Sequence, residues 1–179
     1  REFKRFYYLL CRENLIDRNR NSPVAQLVKD TSEQEEDISK TFYKEFKELR
    51  LKLFHHLVEY NSNIDKKILL EKTQKLLDRL IFVLFCEDCG LLPSQIFKQC
   101  YTYGIRSRER SEQKVWREFK NLFMDINEGR DDVEPSINAY NGGLFTDDDV
   151  LNNLLIMDDI WTEIVKLARY DFESDLNVN

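Results

Sequence analysis

The sequence predicts an all-α fold: an irregular multi-helix domain built round a central buried helix at about residues 64–88, with a Gly-Gly turn near 140–145. Three observations predict it. Only 5 Gly and 3 Pro punctuate 179 residues, too few for the frequent turns of a many-stranded fold. Apolar residues recur at spacings of three and four through most of the chain, the period of a helix with one inward face. A content of 42% hydrophobic and 34% charged residues is that of a soluble globular chain long enough to bury a core.

The elements follow in order. Residues 1–15 place Phe3, Phe6, Tyr7 and Leu10 on one helical face, and residues 19–23 break the pattern. A longer helix is expected over 32–60, where Ile38, Phe42, Phe46, Leu49, Leu53 and Leu57 form the inner stripe. The central helix, 64–88, begins amphipathic and is apolar all round over 81–85, so burial on every face is expected there. Gly90 is its left-handed cap and Pro93 blocks continuation. A short helix over 94–102, a loop over 104–111 and a helix capped by Ser111 come next, the last carrying Val115, Phe119, Leu122 and Ile126 inward. Residues 129–135 read as a polar loop. Residues 140–145 form a tight turn in which paired glycines serve positive φ or close approach. Two further helices are expected at 147–156 and 159–169, each opened by a capping aspartate. The domain is read as one helical unit over 1–179, divisible at most into 1–62 and 63–179.

Composition also excludes classes. The net charge of -6 gives no global attraction to nucleic acid or anionic membrane. No apolar run reaches the roughly 20 residues of a membrane span. Four cysteines without a secretory signal point to reduced thiols in a cytoplasm. The start at Arg1 and the lack of a leader make a piece of a longer protein the expected reading.

Three candidate sites resolve toward structural roles. Cys86-x-x-Cys89 is half of a zinc site, but the other half would have to come from Cys11, Cys100, His55 or His56, none in a short-spaced cysteine pair. His55 and His56 point about 100° apart on a helix and cannot chelate together. Glu87 and Asp88 diverge likewise, with no nucleophile or histidine at a readable spacing; they are expected to bond backbone amides or an arginine at the end of the buried helix. The aspartates at 131–132, 147–149 and 158–159 lack the calcium-loop spacing and read as caps and solvated charges.

The basic stretch is different. Residues 101–120 hold six basic side chains (Arg106, Arg108, Arg110, Lys114, Arg117 and Lys120) against three acidic ones, whereas 121–160 hold one basic and ten acidic. Such segregation can turn one positive face toward phosphates, or it can serve as a solvated loop that pairs with the acidic stretch.

Residues 76–93, with Trp116-Arg117-Glu118-Phe119, residues 139–145 and residues 170–175, form an ordered series. It resembles the helical segment just upstream of the methyltransferase domain in type IIG restriction-modification enzymes, which join a DNA endonuclease and an adenine-specific DNA methyltransferase in one chain. The resemblance spans nearly the whole chain and is strongest from residue 76 onward. Its motif residues are Arg79, Glu87, Asp88, Gly90 and Pro93 in the helix and its turn, and Tyr140, Asn141, Gly142 and Gly143 in the second turn. Family members often carry a basic residue where Cys89 stands, which argues further against a zinc ligand. The chain has no Asn-Pro-Pro-Tyr motif, no glycine-rich cofactor loop and no nuclease motif. The resemblance therefore implies a prokaryotic cytoplasmic setting and a segment with no catalytic, cofactor or metal residues of its own. S-adenosylmethionine and Mg are expected for the parent enzyme. The implied partners are the flanking nuclease and methyltransferase domains, with double-stranded DNA as a further one. A free-standing helical adaptor using the acidic face is the alternative from another class.

Overall fold

The computed structural model describes residues 4, 7, 11, 22–132, 136–140 and 142–172 of the chain. The helix expected over 1–15 lies outside these residues except at isolated positions.

Helix α1 spans Pro23–Tyr60, beginning nine residues before the expected 32. The Pro-containing break proves to be a start signal: the Ser22 hydroxyl accepts from the Ala25 N–H at 3.0 Å, and Pro23 occupies the first helical position, where a missing N–H costs nothing. The added turns carry Leu27 and Val28 outward, so no inner stripe marks them. Phe42, Leu49, Leu53 and Leu57 are buried as the period requires.

A tight turn at 61–65 returns the chain into α2, Lys66–Asp88, with Asp65 as N-cap accepting from Lys67 N–H at 2.8 Å. Leu69, Leu76, Leu77, Leu80, Val83 and Leu84 are buried. Burial on every face does not hold over 81–85. Phe85 is 42% exposed, and with Ile81 and Phe82 it lines an apolar groove of about 500 Å3 shared with Phe42 and Phe46 of α1 and with Phe172. The groove thus sits at the edge of the core: Phe42 and Phe172 are buried, while Phe46, Ile81 and Phe82 are partly buried against them. Gly90 at φ 70° closes α2: Leu91 N–H donates to Cys86 O at 2.8 Å and Gly90 N–H to Glu87 O at 3.0 Å, the paired bonds of a Schellman ending.

Helix α3 spans Ile96–Arg106 and α4 spans Lys114–Glu128. Helices α3 and α4 pack closely, and Gly104 permits it: a Cβ there would fall 2.5 Å from Val115 Cα. Two expectations fail here. Helix α3 runs four residues past 102, so Arg106 is helical rather than in a loop. Ser111 does not cap α4; its hydroxyl accepts only from Gln113 N–H at 3.2 Å. The α4 N-terminus is capped from a distance by Asp158, whose carboxylate accepts from Val115 N–H at 2.9 Å.

Beyond α4, Gly129 at φ 83° leads into an isolated antiparallel pairing of Arg130 with Ile137; no strand is formed among the described residues. The helix expected at 147–156 shrinks to α5, Asp149–Asn152, capped by Asp148. Residues 154–157 have no regular structure and 158–160 form a turn. The helix expected at 159–169 is α6, Trp161–Ile164, continued by a 3-10 turn, Val165–Arg169; no side chain caps α6, so Asp159 does not play that part. Trp161 anchors this end, stacked on Phe119 at 4.5 Å and fully buried.

Candidate nucleic-acid interface

The basic segment sits on a rigid support. Burial of Phe97 and the close crossing at Gly104 fix α3 against α4. Its N-terminus is held by Glu87, which accepts from Gln95 N–H at 2.7 Å and Phe97 N–H at 3.0 Å. Gln95, at φ 61°, offers no side-chain cap itself, so a carboxylate from the preceding helix fills that place and meets the positive end of the dipole. At the other end Ser107 N–H returns to Tyr103 O and Gly104 O, and the chain loops out over 107–113.

The structure divides the six basic residues into two groups. Arg106, Arg108 and Arg110 are exposed, and among the described residues none of the three makes a hydrogen bond or ion pair. The other three are engaged. Arg117 bonds Glu109 and lies 3.8 Å from Glu118. Lys114 lies 4.0 Å from Asp158 and is four-fifths buried. Lys120 donates to Asn152 O at 3.2 Å and sits 5.7 Å over the Trp116 ring. The pairing of Glu109 with Arg117 withdraws an acid from the middle of the arginine run and leaves the loop cations unbalanced.

The motif residues serve the scaffold. Arg79, 2% exposed, donates to Leu144 O and Thr146 O, each at 2.8 Å, and lies over the Phe123 and Phe145 rings. Burial pulls its pKa down, against the opposing pull of Asp148 and Asp147. Asp88 accepts from Phe172 N–H at 2.7 Å. Pro93 O accepts from Ile96 N–H at 3.2 Å in the turn that opens α3. In the second turn neither Gly142 nor Gly143 has positive φ, which corrects one of the two reasons expected for the pair. The other reason holds at Gly142 alone, where a Cβ would come within 2.3 Å of the Tyr140 ring. Asn141 lies outside the described residues.

The acids have local partners as well, and two of the thiols are set by burial. Asp148 is bonded by Lys72 and Lys75, each at 2.8 Å. Burial alone would raise its carboxyl, but these lysines and the Leu151 amide hold it well below the usual carboxylate range. Asp132 pairs with Arg130 at 2.8 Å, and Asp147 accepts from Asn152 at 2.6 Å. Burial pushes the Cys86 thiol up, and burial with nearby Glu118, Asp125 and Glu87 pushes Cys100 up to about 12. Among the described residues no three His, Cys, Asp or Glu side chains are placed to hold a metal ion. No helix among them is long and apolar enough to cross a membrane.

Sequence patterns gave no sign of the side chains that staple residues 154–158. Asn61 mimics a strand neighbour, accepting from Leu155 N–H at 2.8 Å and donating to Leu155 O at 3.0 Å. His56 accepts from Met157 N–H at 3.0 Å, and Gln113 from Ile156 N–H at 3.3 Å. Only the polarity of His56 at an inward position of α1 and of Asn61 at its C-terminal cap hinted at a buried partner.

Residues 71–145 match the family model described as "MmeI, helicase spacer domain". MmeI is a type IIG restriction-modification enzyme. The resemblance read from Arg79 through Pro93 and from the Gly-Gly turn therefore stands over this stretch, which runs from α2 to Phe145 and includes the whole basic segment. No curated protein and no solved structure matches the chain.

Proposed function

We propose that this chain is the non-catalytic helical connector of a type IIG restriction-modification enzyme, bridging its nuclease and methyltransferase domains and lining the path of the DNA duplex. The parent enzyme is a site-specific adenine DNA methyltransferase with endonuclease activity that uses S-adenosylmethionine and Mg; the connector supplies neither cofactor residues nor catalytic groups. One observation carries the DNA contact: Arg106, Arg108 and Arg110 project without a partner among the described residues, inside the stretch that matches the spacer family. Arginines at a helix end and in a loop supply affinity and register through phosphates, leaving base readout to other parts of the enzyme.

The test replaces Arg106, Arg108 and Arg110 with alanine in the full-length enzyme and measures affinity for cognate and non-cognate duplexes across a salt series. Losing three phosphate contacts should flatten the log-log slope by about 2.7, at about 0.9 for each contact, and weaken both duplexes alike. Replacing Arg117, whose charge is already met by Glu109, should leave the slope unchanged. Unaltered affinity and slope in the triple variant would show the loop to be a solvated surface only.

A further inference from the structure

We infer that the DNA-facing edge extends back from the arginine loop along the outer face of α3, with Lys98 and Tyr103 as two further phosphate contacts. This rests on the reading of Arg106, Arg108 and Arg110 as duplex-facing.

The argument begins with charge. From residue 89 to residue 111 the chain carries four cations, Lys98, Arg106, Arg108 and Arg110, and a single acid, Glu109. That acid is taken by Arg117. In a protein of net charge -6, this is a continuous run whose positive charge is not met locally, and Lys98 belongs to it although it lies outside the 101–120 window where basic residues are densest.

Geometry aligns the run. Lys98, Thr102 and Arg106 recur every four residues on α3 and so share one face, while Tyr103 sits one turn before Arg106 beside it. Lys98 is exposed and Tyr103 is 62% exposed. Among the described residues neither the Lys98 amine nor the Tyr103 hydroxyl has a partner. Glu118, Asp125 and Glu87 act on Cys100, and Cys100, two residues after Lys98, points about 200° away from it. The opposite face buries Phe97 and Gly104 against α4, which orients the cationic face outward.

Dimensions agree. Lys98 and Arg106 are about 12 Å apart along the helix at 1.5 Å per residue, which spans three to four phosphates at about 3.4 Å of rise per strand. Lys98 and Arg106 lie along this edge and Tyr103, about 60° round the helix from Arg106, flanks it; all three side chains are ordinary phosphate donors.

The closing experiment uses the full-length enzyme and a non-cognate duplex over a salt series, with the triple arginine variant alongside. Lys98→Gln should flatten the log-log slope by about 0.9, and Lys98→Arg should restore it. Tyr103→Phe removes an uncharged donor, so it should weaken binding about tenfold at fixed salt while leaving the slope in place. If the triple arginine variant loses slope and Lys98→Gln matches the parent, the extension along α3 is overturned and the loop reading survives. If Tyr103→Phe binds as the parent does, the tyrosine contact is overturned. If the triple arginine variant itself is unchanged, the reading beneath both fails.

Discussion

The α1–α2 hairpin and residues 142–172 are held in the same core by opposite means. The hairpin buries a continuous stripe, with Leu53, Leu57, Leu76, Leu77 and Leu80 all fully enclosed, and its backbone bonds are internal to its helices. Residues 142–172 contain only short helical turns, so their backbone groups need partners from elsewhere. Arg79, Asp88, Asn61 and His56, all on the hairpin, supply them. The hairpin is stabilised mainly by the hydrophobic effect, and the later segment is stapled to it by polar side chains, of which Arg79, Asn61 and His56 are buried, and each leaves an unsatisfied group if removed.

The sharpest way to break this comparison is at the hairpin's apolar centre. Leu80→Ala should cost about 2–5 kcal/mol through lost burial and a cavity, seen as a lower denaturant midpoint with the same m-value. A variant that unfolds like the parent would remove Leu80 from the core. Next comes the strongest staple. Arg79→Met keeps the volume but leaves the carbonyls of Leu144 and Thr146 without their charged donor, for about 2–4 kcal/mol. Hydrogen exchange should then quicken over 142–148 more than over α2; uniform quickening would mean that Arg79 supports the hairpin itself. Asn61→Ala removes both bonds to Leu155 and should cost about 1–3 kcal/mol, with faster exchange confined to 154–158.

The same contrast explains what the sequence disclosed. Periodicity located α1, α2 and α4, because each buries a stripe that repeats along its own length; Gly90 and Pro93 marked the end of α2 because capping there is local. The helix expected over 147–156 is only four residues long, and the one expected over 159–169 starts at Trp161 and tightens into a 3-10 turn. Their aspartates look like N-caps, yet Asp158 caps α4 from 43 residues away, and the backbone of Leu155 is bonded by Asn61, 94 residues away in sequence. No local pattern encodes such pairings. The basic run was visible as charge density, but its division was not: whether Arg110 is free or Arg117 is paired depends on where Glu109 falls across the loop.

The smallest effect is a pH dependence, and it separates the two regions by condition rather than by mutation. His56 Nε2 accepts from Met157 N–H, so the imidazole must be neutral and carry its proton on Nδ1, 3.8 Å from Asp159. Burial lowers its pKa, against the weaker opposite pulls of Asp159 and Glu59; Tyr60 packs on the ring at 4.7 Å. A histidine whose folded pKa lies below its unfolded value of about 6.5 contributes its full stability above that value. As pH falls toward the folded pKa, the unfolded chain binds the proton first, and the contribution is lost at up to about 1.4 kcal/mol per pH unit. Asp148, whose carboxyl is depressed by its lysines and the Leu151 amide despite burial, begins to lose its contribution only at more acid pH, as the medium falls into the ordinary carboxylate range and on below it. Denaturant unfolding between pH 7.5 and 5 should therefore show a decline that belongs to His56 alone among the staples. In His56→Gln, whose amide oxygen can still accept from Met157 without titrating, the curve should be flatter over that interval. An equal decline in both proteins would place the acid sensitivity elsewhere in the fold.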